Sequence, residues 1–353
     1  GHGFLPDGSA YVGTMQGDVW HVSGISGPPE EKKKKKWRRF ASGLHQPLGL
    51  VVANDLVYVM CRDQLVALHD RNRDGEADFY QCFCNSFVTS QGGHDFICGL
   101  ERDSAGNFYT ASSNQGLLKI FADGNTVQVL ATGFRNPDGL GLWPDGTLTV
   151  PCSEGDWTPA TMIAAIPPQH LTTDIRQESL TPPHFGYPGR ANGIVPNLPW
   201  LYFPRGVDNS AGGQVWVDSD RWGPLRDQVI HLSFGAGSHF LLLADRIEQP
   251  NTELPAWVQG AAVPLVGDFS SGVHRGRFNP ADGQLYVTGM SGWGTYTPDD
   301  GCFQRVRYTG APVILPIGIK IYADGIWLKF PQSLPKSVED ASAHFAQAWN
   351  YRY

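Results

Sequence analysis

The chain has 353 residues, of which 41% are hydrophobic and 17% are charged, and its formal net charge is −7. This composition is typical of a globular protein with a core and excludes a disordered chain. We expect no nucleic-acid partner, because neutralising phosphates requires many Lys and Arg. The sequence contains no run of about 18 apolar residues and therefore predicts no membrane span.

The fold class follows from the turns and strands that the residues favour. Gly (42), Pro (26), Trp (11) and Tyr (12) are frequent, which is typical of tight turns and aromatic strands in an all-β protein. A weak repeat of Gly-Leu, an Asp-Gly-like turn and two strands occurs six times, at 5–22, 48–68, 98–120, 138–150, 210–234 and 271–308. Such repeats favour small antiparallel sheets arranged radially. We therefore predict a six-bladed β-propeller, one domain over 1–353, rather than a β-sandwich.

Two regions lie outside this repeat. Residues 158–207 are rich in Pro and His and show little alternation, so we predict a long connection over one face of the propeller. Residues 310–353 are predicted to form an extension, with a hairpin around Ala323-Asp324-Gly325. A short helix is predicted over Ser337–Trp349, because a Ser cap precedes acidic residues in its first turn.

Oxygen-bearing side chains alternate along residues 70–78. Gly75 stands at the sixth position of this stretch, as in the first half of a calcium loop, where Gly lets successive side chains converge on a hard cation. The twelfth position is Gln81, so the stretch is not an EF-hand. The alternative is a polar turn whose side chains bind their own backbone. The predicted calcium ligands are Asp70, Asn72, Asp74 and Asp78.

His94 is the candidate general base. It stands just before the strand that begins in ICGLER, and a His at such a rim titrates near neutral pH and can take a proton. The alternative is a structural His that forms hydrogen bonds, since the chain has ten other histidines.

Cationic and amide side chains form a second candidate group. Arg135 and Asn136 stand at one strand start, and Arg275 and Arg277 alternate along another strand, so their guanidinium groups share one face. Arg binds planar carboxylates through two parallel hydrogen bonds. We expect Arg135, Arg275 and Arg277 to point into one cavity near His94 and to bind an anion. The alternative is that they form ion pairs between blades.

Three segments resemble the soluble quinoprotein sugar dehydrogenases, namely HDFICGLERDSAGNFY, GFRNPDGLGLWPDG and HRGRFNPADGQLYV. Those enzymes are six-bladed propellers that use pyrroloquinoline quinone. Essentially the whole chain is similar to bacterial proteins described as membrane-bound dehydrogenases, through marks such as RFASGLHQPLGL, DRNRDGEADFY, DNSAGGQVWV and WNYRY. Such proteins often continue into a haem c domain.

The resemblance implies roles for individual residues. His94 would take the hydroxyl proton of a sugar or related alcohol while hydride passes to the quinone. The residues implied to contact the quinone are Gln46, Arg135, Asn136, Arg275 and Arg277. The implied protein is a periplasmic dehydrogenase with calcium and pyrroloquinoline quinone as cofactors, which passes electrons to a cytochrome c or a haem c domain.

Two other interpretations stay open. The protein could act on carbohydrate without a quinone, as a metal-assisted hydrolase or lyase with His94, His184 and His231 as candidate ligands. It could also be a non-catalytic propeller that binds a glycan or docks a haem domain. The segment HLSFGAG favours both, because it lacks the cofactor-binding Lys that the quinoproteins have in their fifth repeat.

Overall fold

Strands grouped in small antiparallel sheets make up most of the computed structural model, which describes residues 1–27, 34–90, 92, 95–168, 181–189, 195–247, 257–292 and 296–349. Six of these sheets follow one another along the chain, and five of the six have four strands. Within each sheet the strands pair in the order in which they occur in the sequence. This arrangement confirms the all-β, six-bladed propeller predicted from the repeat.

The strand bounds of blades 1–3 are as follows. Blade 1 has β1 (His2–Phe4), β2 (Ala10–Gly13), β3 (Val19–Ser23) and β4 (Lys36–Ala41). Blade 2 has β5 (Gly49–Ala53), β6 (Leu56–Met60), β7 (Leu65–His69) and β8 (Phe79–Cys84). Blade 3 has β9 (Cys98–Arg102), β10 (Phe108–Ser112), β11 (Gly116–Ile120) and β12 (Val127–Ala131).

Blades 4–6 continue the series. Blade 4 has β13 (Gly141–Leu142), β14 (Leu148–Cys152), β15 (Met162–Ile166) and β16 (Leu201–Tyr202). Blade 5 has β17 (Ala211–Trp216), β18 (Val229–Ser233), β19 (Ser238–Arg246) and β20 (Val258–Pro264). Blade 6 has β21 (Val273–Phe278), β22 (Leu285–Met290) and β23 (Gly301–Val306) within the described residues.

The first strands of the six blades form a closed ring around a central channel. Each first strand packs on the first strand of the next blade, and β21 packs back on β1. The Gly of the repeated Gly-Leu pair is needed for this close approach. A Cβ at Gly49 would lie 2.7 Å from the carbonyl carbon of Gly99, and a Cβ at Gly139 would lie 2.5 Å from the Cα of Gly213, so only Gly lets neighbouring backbones approach this closely.

The hydrophobic core is divided among the interfaces between neighbouring blades. One cluster joins blades 3 and 4, another joins blades 2 and 3, and a third joins blades 4 and 5. Large buried side chains such as Phe108, Phe134 and Trp200 lie in these clusters. Each blade is therefore stabilised by its neighbours as well as by its own strand pairing.

The predicted long connection over 158–207 is only partly right. It contains β15 and β16, which are the third and fourth strands of blade 4. All five side chains of β15 are buried, and a strand buried on both faces shows no polar alternation. Residues 169–180 and 190–194 within this stretch lie outside the described part of the chain.

The C-terminal extension matches the prediction in its hairpin. β24 (Gly318–Tyr322) and β25 (Gly325–Lys329) pair around the predicted turn, and Lys320 Nζ lies 2.7 Å from Asp245 Oδ1 of blade 5. The single helix expected over Ser337–Trp349 is replaced by two 3₁₀ turns, at Lys336–Glu339 and Ala341–Ala343. Short helices need packing to be stable, and the described side chains between 336 and 349 are exposed. Among the described residues we find no helix of the length and apolarity that crossing a membrane requires.

Candidate functional site

A pocket of about 310 Å³ lies at the mouth of the channel, next to the starts of several first strands. We call it the mouth pocket. Its apolar lining consists of Met15, Leu48, Phe96, Phe234 and Met290. Its main polar lining consists of Arg135, Asn136, Asp138, Ser153, Asn209 and Ser210. A concave apolar site with a few convergent polar groups is the usual form of a small-molecule site.

Arg135 and Asn136 reach the mouth pocket, as their position before a strand predicted. Asn136 has a φ of 49°, in the left-handed region that few non-glycine residues adopt. Its N–H donates to Ser113 Oγ at 2.8 Å, and Arg135 Nη1 donates to the carbonyl of Glu154 at 2.8 Å. Hydrogen bonds to blades 3 and 4 therefore fix the turn that carries both side chains.

Asp138 is the buried carboxyl group of the mouth pocket. Its Oδ2 accepts a hydrogen bond from Ser210 Oγ at 2.9 Å, and its Oδ1 lies 4.0 Å from Cys98 Sγ. Burial raises the pKa of Asp138 to about 6, although the Ser210 hydroxyl and the Arg275 charge lower it. Its side chain lies between Ser210 and Cys98, which both line the pocket.

One wall of the mouth pocket is an aromatic pair that sequence analysis missed. Phe234 and His274 stack with ring centroids 5.0 Å apart and an interplanar angle of 18°. Burial and the nearby Arg275 charge hold the pKa of His274 well below its usual value, so this ring is neutral. Phe234 belongs to the segment HLSFGAG, where the resemblance implies a Lys. The chain therefore presents an apolar ring from that segment.

Arg275 does not line the mouth pocket but lies in the channel beneath it. Its Nε and Nη2 donate to the carbonyl of Leu48 at 3.0 and 2.9 Å, and its Nη1 donates to the carbonyls of Asp138 and His274. These carbonyls belong to blades 2, 4 and 6. The guanidinium group thus satisfies backbone acceptors where the first strands converge.

Arg277 makes a similar set of contacts further along the channel. Its Nη1 lies 2.9 Å from Glu101 Oε2, and its Nε and Nη2 donate to the carbonyls of His2 at 3.0 Å and Leu100 at 2.8 Å. The expectation that three arginines point into one cavity is therefore wrong. Alternation did place Arg275 and Arg277 on one face, but that face meets carbonyl groups of other blades. Asp282, which follows the same strand, pairs with Arg305 at 3.0 Å rather than with Arg275.

Gln46 and the flanks of His94 are joined by Arg62. Arg62 Nη1 donates to Gln46 Oε1 at 3.1 Å, and its Nη2 donates to the carbonyls of Ser90 and Gly92 at 2.9 and 3.0 Å. His94 itself lies outside the described residues. The role predicted for it stays a prediction, as does quinone contact by Gln46.

The predicted calcium loop is described throughout and is closed by hydrogen bonds. The Asp70 carboxylate accepts from the N–H groups of Asp74 and Gly75 at 3.2 and 2.8 Å, and Asp78 Oδ2 accepts from the N–H of Asn72 at 3.2 Å. Within the described part of the chain, no group of three or more His, Cys, Asp or Glu is placed to hold a metal ion. Calcium binding at this loop stays a prediction.

Calcium is tested most directly by thermal unfolding. If the loop closes on calcium, saturating calcium should raise the melting temperature of chelator-treated protein by roughly 2–4 °C, and Asp74→Ala should abolish the increase. Asp123→Ala, in an exposed turn of blade 3, is the control that should leave the increase intact. An unchanged melting temperature in calcium would establish the polar-turn alternative.

The two described histidines proposed as metal ligands are engaged elsewhere. His184 binds Thr132 Oγ1 at 3.0 Å and the carbonyl of Gly189 at 2.8 Å. His231 Nε2 lies 2.7 Å from Asp208 Oδ2 in the core of blade 5. Both ring nitrogens of His184 are thus used, and the described structure does not group these residues around a metal.

Comparison of the structure with solved proteins places this arrangement among known propellers. A Thermus thermophilus oxidoreductase provisionally named glucose dehydrogenase matches with a TM-score of 0.61 and 16% identity, over 86% of this chain and 95% of that chain. The soluble aldose sugar dehydrogenase of Escherichia coli matches with a TM-score of 0.59 and 15% identity, over 86% and 94%. The chain shares the fold of the soluble sugar dehydrogenases.

The same fold also serves other chemistry. A luciferin-regenerating enzyme matches with a TM-score of 0.53 and 14% identity, over 91% of this chain and 94% of that chain. No family model and no curated protein matches the sequence, so membership of the membrane-bound dehydrogenase family is not shown. At these identities the likeness establishes the propeller, and function has to be argued from the site.

Proposed function

We propose that the mouth pocket binds a sugar or a related alcohol, and that the protein acts on it as a sugar dehydrogenase-like oxidoreductase. The observation that carries this proposal is the lining of the pocket. Phe96 and Phe234 offer apolar rings to the C–H faces of a sugar, while Asn136, Asp138 and Asn209 offer hydrogen-bonding groups to its hydroxyls. Half-buried aromatic rings next to a few polar groups suit a ligand that is apolar on its faces and polar on its edge.

His94 is the proposed base of this reaction. Its described neighbour Phe96 lines the pocket, and Asp95 anchors the same segment by accepting from the N–H groups of Ser90 and Asn114 at 2.7 and 3.0 Å. Oxidation of an alcohol releases a hydroxyl proton, which His94 would take, and a hydride, which would pass to a redox acceptor bound in the pocket. The family resemblance of the segment supports this role for His94.

The pocket does not fit the quinone that the resemblance implies. Pyrroloquinoline quinone is a polycarboxylate, and Arg135 is the one side-chain cation among the described lining residues. Arg275 and Arg277 already bind main-chain carbonyls and Glu101. Phe234 stands in the segment where the resemblance implies a cofactor-binding Lys. The Asp138 carboxylate would lie next to the carboxylates of the quinone and repel them. The hydride acceptor of the proposed oxidation would therefore be a redox group other than this quinone.

This disagreement supports a second candidate, in which the mouth pocket binds carbohydrate without a quinone. The protein would then be a binding propeller, or a hydrolase or lyase. Electron transfer to a cytochrome c and a periplasmic location belong to the dehydrogenase proposal, whereas a docked haem c domain also suits the binding propeller. They are supported by the resemblance to proteins that continue into a haem c domain.

The test is a binding titration followed by an oxidation assay. We expect neutral monosaccharides such as glucose, galactose or mannose to bind by calorimetry with no quinone present, and Phe234→Ala to weaken binding roughly tenfold by removing an aromatic wall. Val88→Ala, at an exposed site, is the control.

The assay then adds pyrroloquinoline quinone, calcium and an artificial electron acceptor. Oxidation that requires the quinone and is lost in His94→Gln would restore the quinoprotein interpretation in full. Sugar binding with no oxidation would establish the quinone-free candidate. Failure of every neutral sugar to bind would overturn the proposal.

A further inference from the structure

Asp138 is a buried carboxyl group at the mouth pocket that has a hydroxyl partner but no cationic partner for its side chain among the described residues. It is 8% exposed, and its two oxygens lie next to Cys98 and Ser210, which both line the pocket. Arg275 lies behind it and binds its main-chain carbonyl rather than its carboxylate. The carboxylate therefore keeps hydrogen-bond acceptor capacity, since an ionised carboxylate has about four acceptor sites, and the Ser210 hydroxyl and the Cys98 thiol fill two of them.

We propose that the Asp138 carboxylate binds hydroxyl groups of the ligand in the mouth pocket and makes the pocket select uncharged sugars over sugar acids. This inference rests on the sugar-binding function proposed above and names the charge class of its ligand. The physical reason is that a buried carboxylate repels a ligand carboxylate across a medium of low dielectric constant. Ligand hydroxyls would instead supply the donors that the buried charge lacks.

The charges around Asp138 decide the pH at which this selection acts. Burial and the neighbouring Asp208 raise the pKa of Asp138 to about 6, while Ser210 and Arg275 oppose the increase. Two other titratable side chains of this wall are neutral at this pH, since burial raises the pKa of Cys98 to about 12 and lowers that of His274 well below its usual value. Among the described side chains of this wall, Asp138 is therefore the one whose charge changes near pH 6.

The ionised Asp138 carboxylate destabilises the folded protein, and this supports a role in ligand binding. A carboxyl group whose pKa is higher in the folded than in the unfolded state loses stability as pH rises through the interval from its ordinary value of 3.8 to about 6. Above pH 6 the ionised Asp138 thus weakens the free protein. A group that costs stability at neutral pH is typical of a site organised for a ligand.

The affinity for a neutral sugar should follow the ionised form. Because hydroxyl donors bind a carboxylate more strongly than a carboxylic acid, binding should strengthen as pH rises through about 6 and level off above it. A sugar acid should show the opposite trend, because its carboxylate stays ionised while that of Asp138 becomes protonated at lower pH.

The experiment compares matched pairs of probes, namely glucose with glucuronate, galactose with galacturonate and mannose with mannuronate, by calorimetry at pH 5.0 and 7.5. We expect wild-type protein to bind a neutral sugar roughly tenfold more tightly than its uronate at the higher pH, and the ratio to shrink at the lower pH. Asp138→Asn should remove both the pH dependence and the preference. It should also melt no lower than wild type at pH 7.5, because it relieves the buried charge.

Two further variants keep the inference testable. Asp282→Asn changes a buried carboxyl of blade 6 that pairs with Arg305, away from the mouth pocket, and should keep the wild-type pH profile. Ser210→Ala removes the hydroxyl that lowers the pKa of Asp138, so the midpoint of the profile should move to higher pH. This second variant tests the inference even if Asp138→Asn fails to fold.

The outcomes separate the two proposals. If no neutral sugar binds at either pH, the proposed function itself is overturned. If neutral sugars bind but Asp138→Asn keeps the wild-type preference and pH profile, sugar binding stands and the role of Asp138 is wrong. Equal binding of neutral sugar and uronate at pH 7.5 would also contradict it.

Discussion

Replacing Arg277 with Ala is expected to lower the free energy of unfolding by about 3 kcal/mol and to leave sugar binding at the mouth pocket unchanged. The guanidinium group joins β1 and β9 through the carbonyls of His2 and Leu100 and the carboxylate of Glu101. Its removal leaves these acceptors without a donor inside the channel. The loss exceeds that of a surface ion pair because the partners are mostly shielded from water.

Urea unfolding and calorimetry with a neutral sugar measure the two effects. Arg226→Ala is the matched control, because Arg226 pairs with Asp220 and Asp227 at the protein surface and should cost under about 1 kcal/mol. Arg277→Lys should lie between the two, since Lys keeps a charge next to Glu101 but loses the planar fork that reaches two carbonyls. Loss of ligand binding with unchanged stability would return Arg277 to the anion-binding role.

Asp208→Ala is expected to cost about 2–4 kcal/mol through the core of blade 5. The carboxylate accepts from His231 Nε2 at 2.7 Å and from Ser233 Oγ at 2.8 Å, and all three side chains are buried. Removing it takes the acceptor from His231 Nε2, from the Ser233 hydroxyl and from the N–H of Ser210. Packing cannot compensate, because Ala leaves a polar cavity.

Urea unfolding again provides the measurement. Asp208→Asn should be less damaging, since its amide oxygen can still accept one of the two hydrogen bonds. His231→Phe tests the cause, because combining it with Asp208→Ala should cost less than the sum of the two single changes. Additive losses would show that the two side chains contribute independently.

The blade pattern was readable from sequence because its cause is local. The Gly of each Gly-Leu pair is required where one first strand meets the next, as the contacts of Gly49 and Gly139 show. Glycines in contact with the neighbouring blade recur in other first strands, as at Gly99 and Gly212, so the requirement leaves a repeat in the sequence. The positions of Arg135 and Asn136 followed for the same reason, since each blade entry opens on the mouth of the channel.

The partners of the channel arginines could not be predicted in this way. Alternation places Arg275 and Arg277 on one face, but the acceptors opposite them are main-chain carbonyls such as that of Leu48, which no residue type encodes. Asp138 illustrates the same limit. Its chemistry depends on Cys98 and Ser210, which lie 40 and 72 residues away in sequence.

The channel arginines also determine when the ring can close during folding. Arg275 and Arg277 lie on β21 in the last blade, yet they bind carbonyls of Leu48 and His2, which are 227 and 275 residues earlier. Contacts between such distant parts of a chain form slowly, because a long loop has to be closed first. As the chain emerges from the ribosome, the first five blades can assemble in turn, but their inner strands stay without these cross-links. The arginines of the last blade therefore link the two ends of the ring, and the ring can close only after synthesis has passed residue 277.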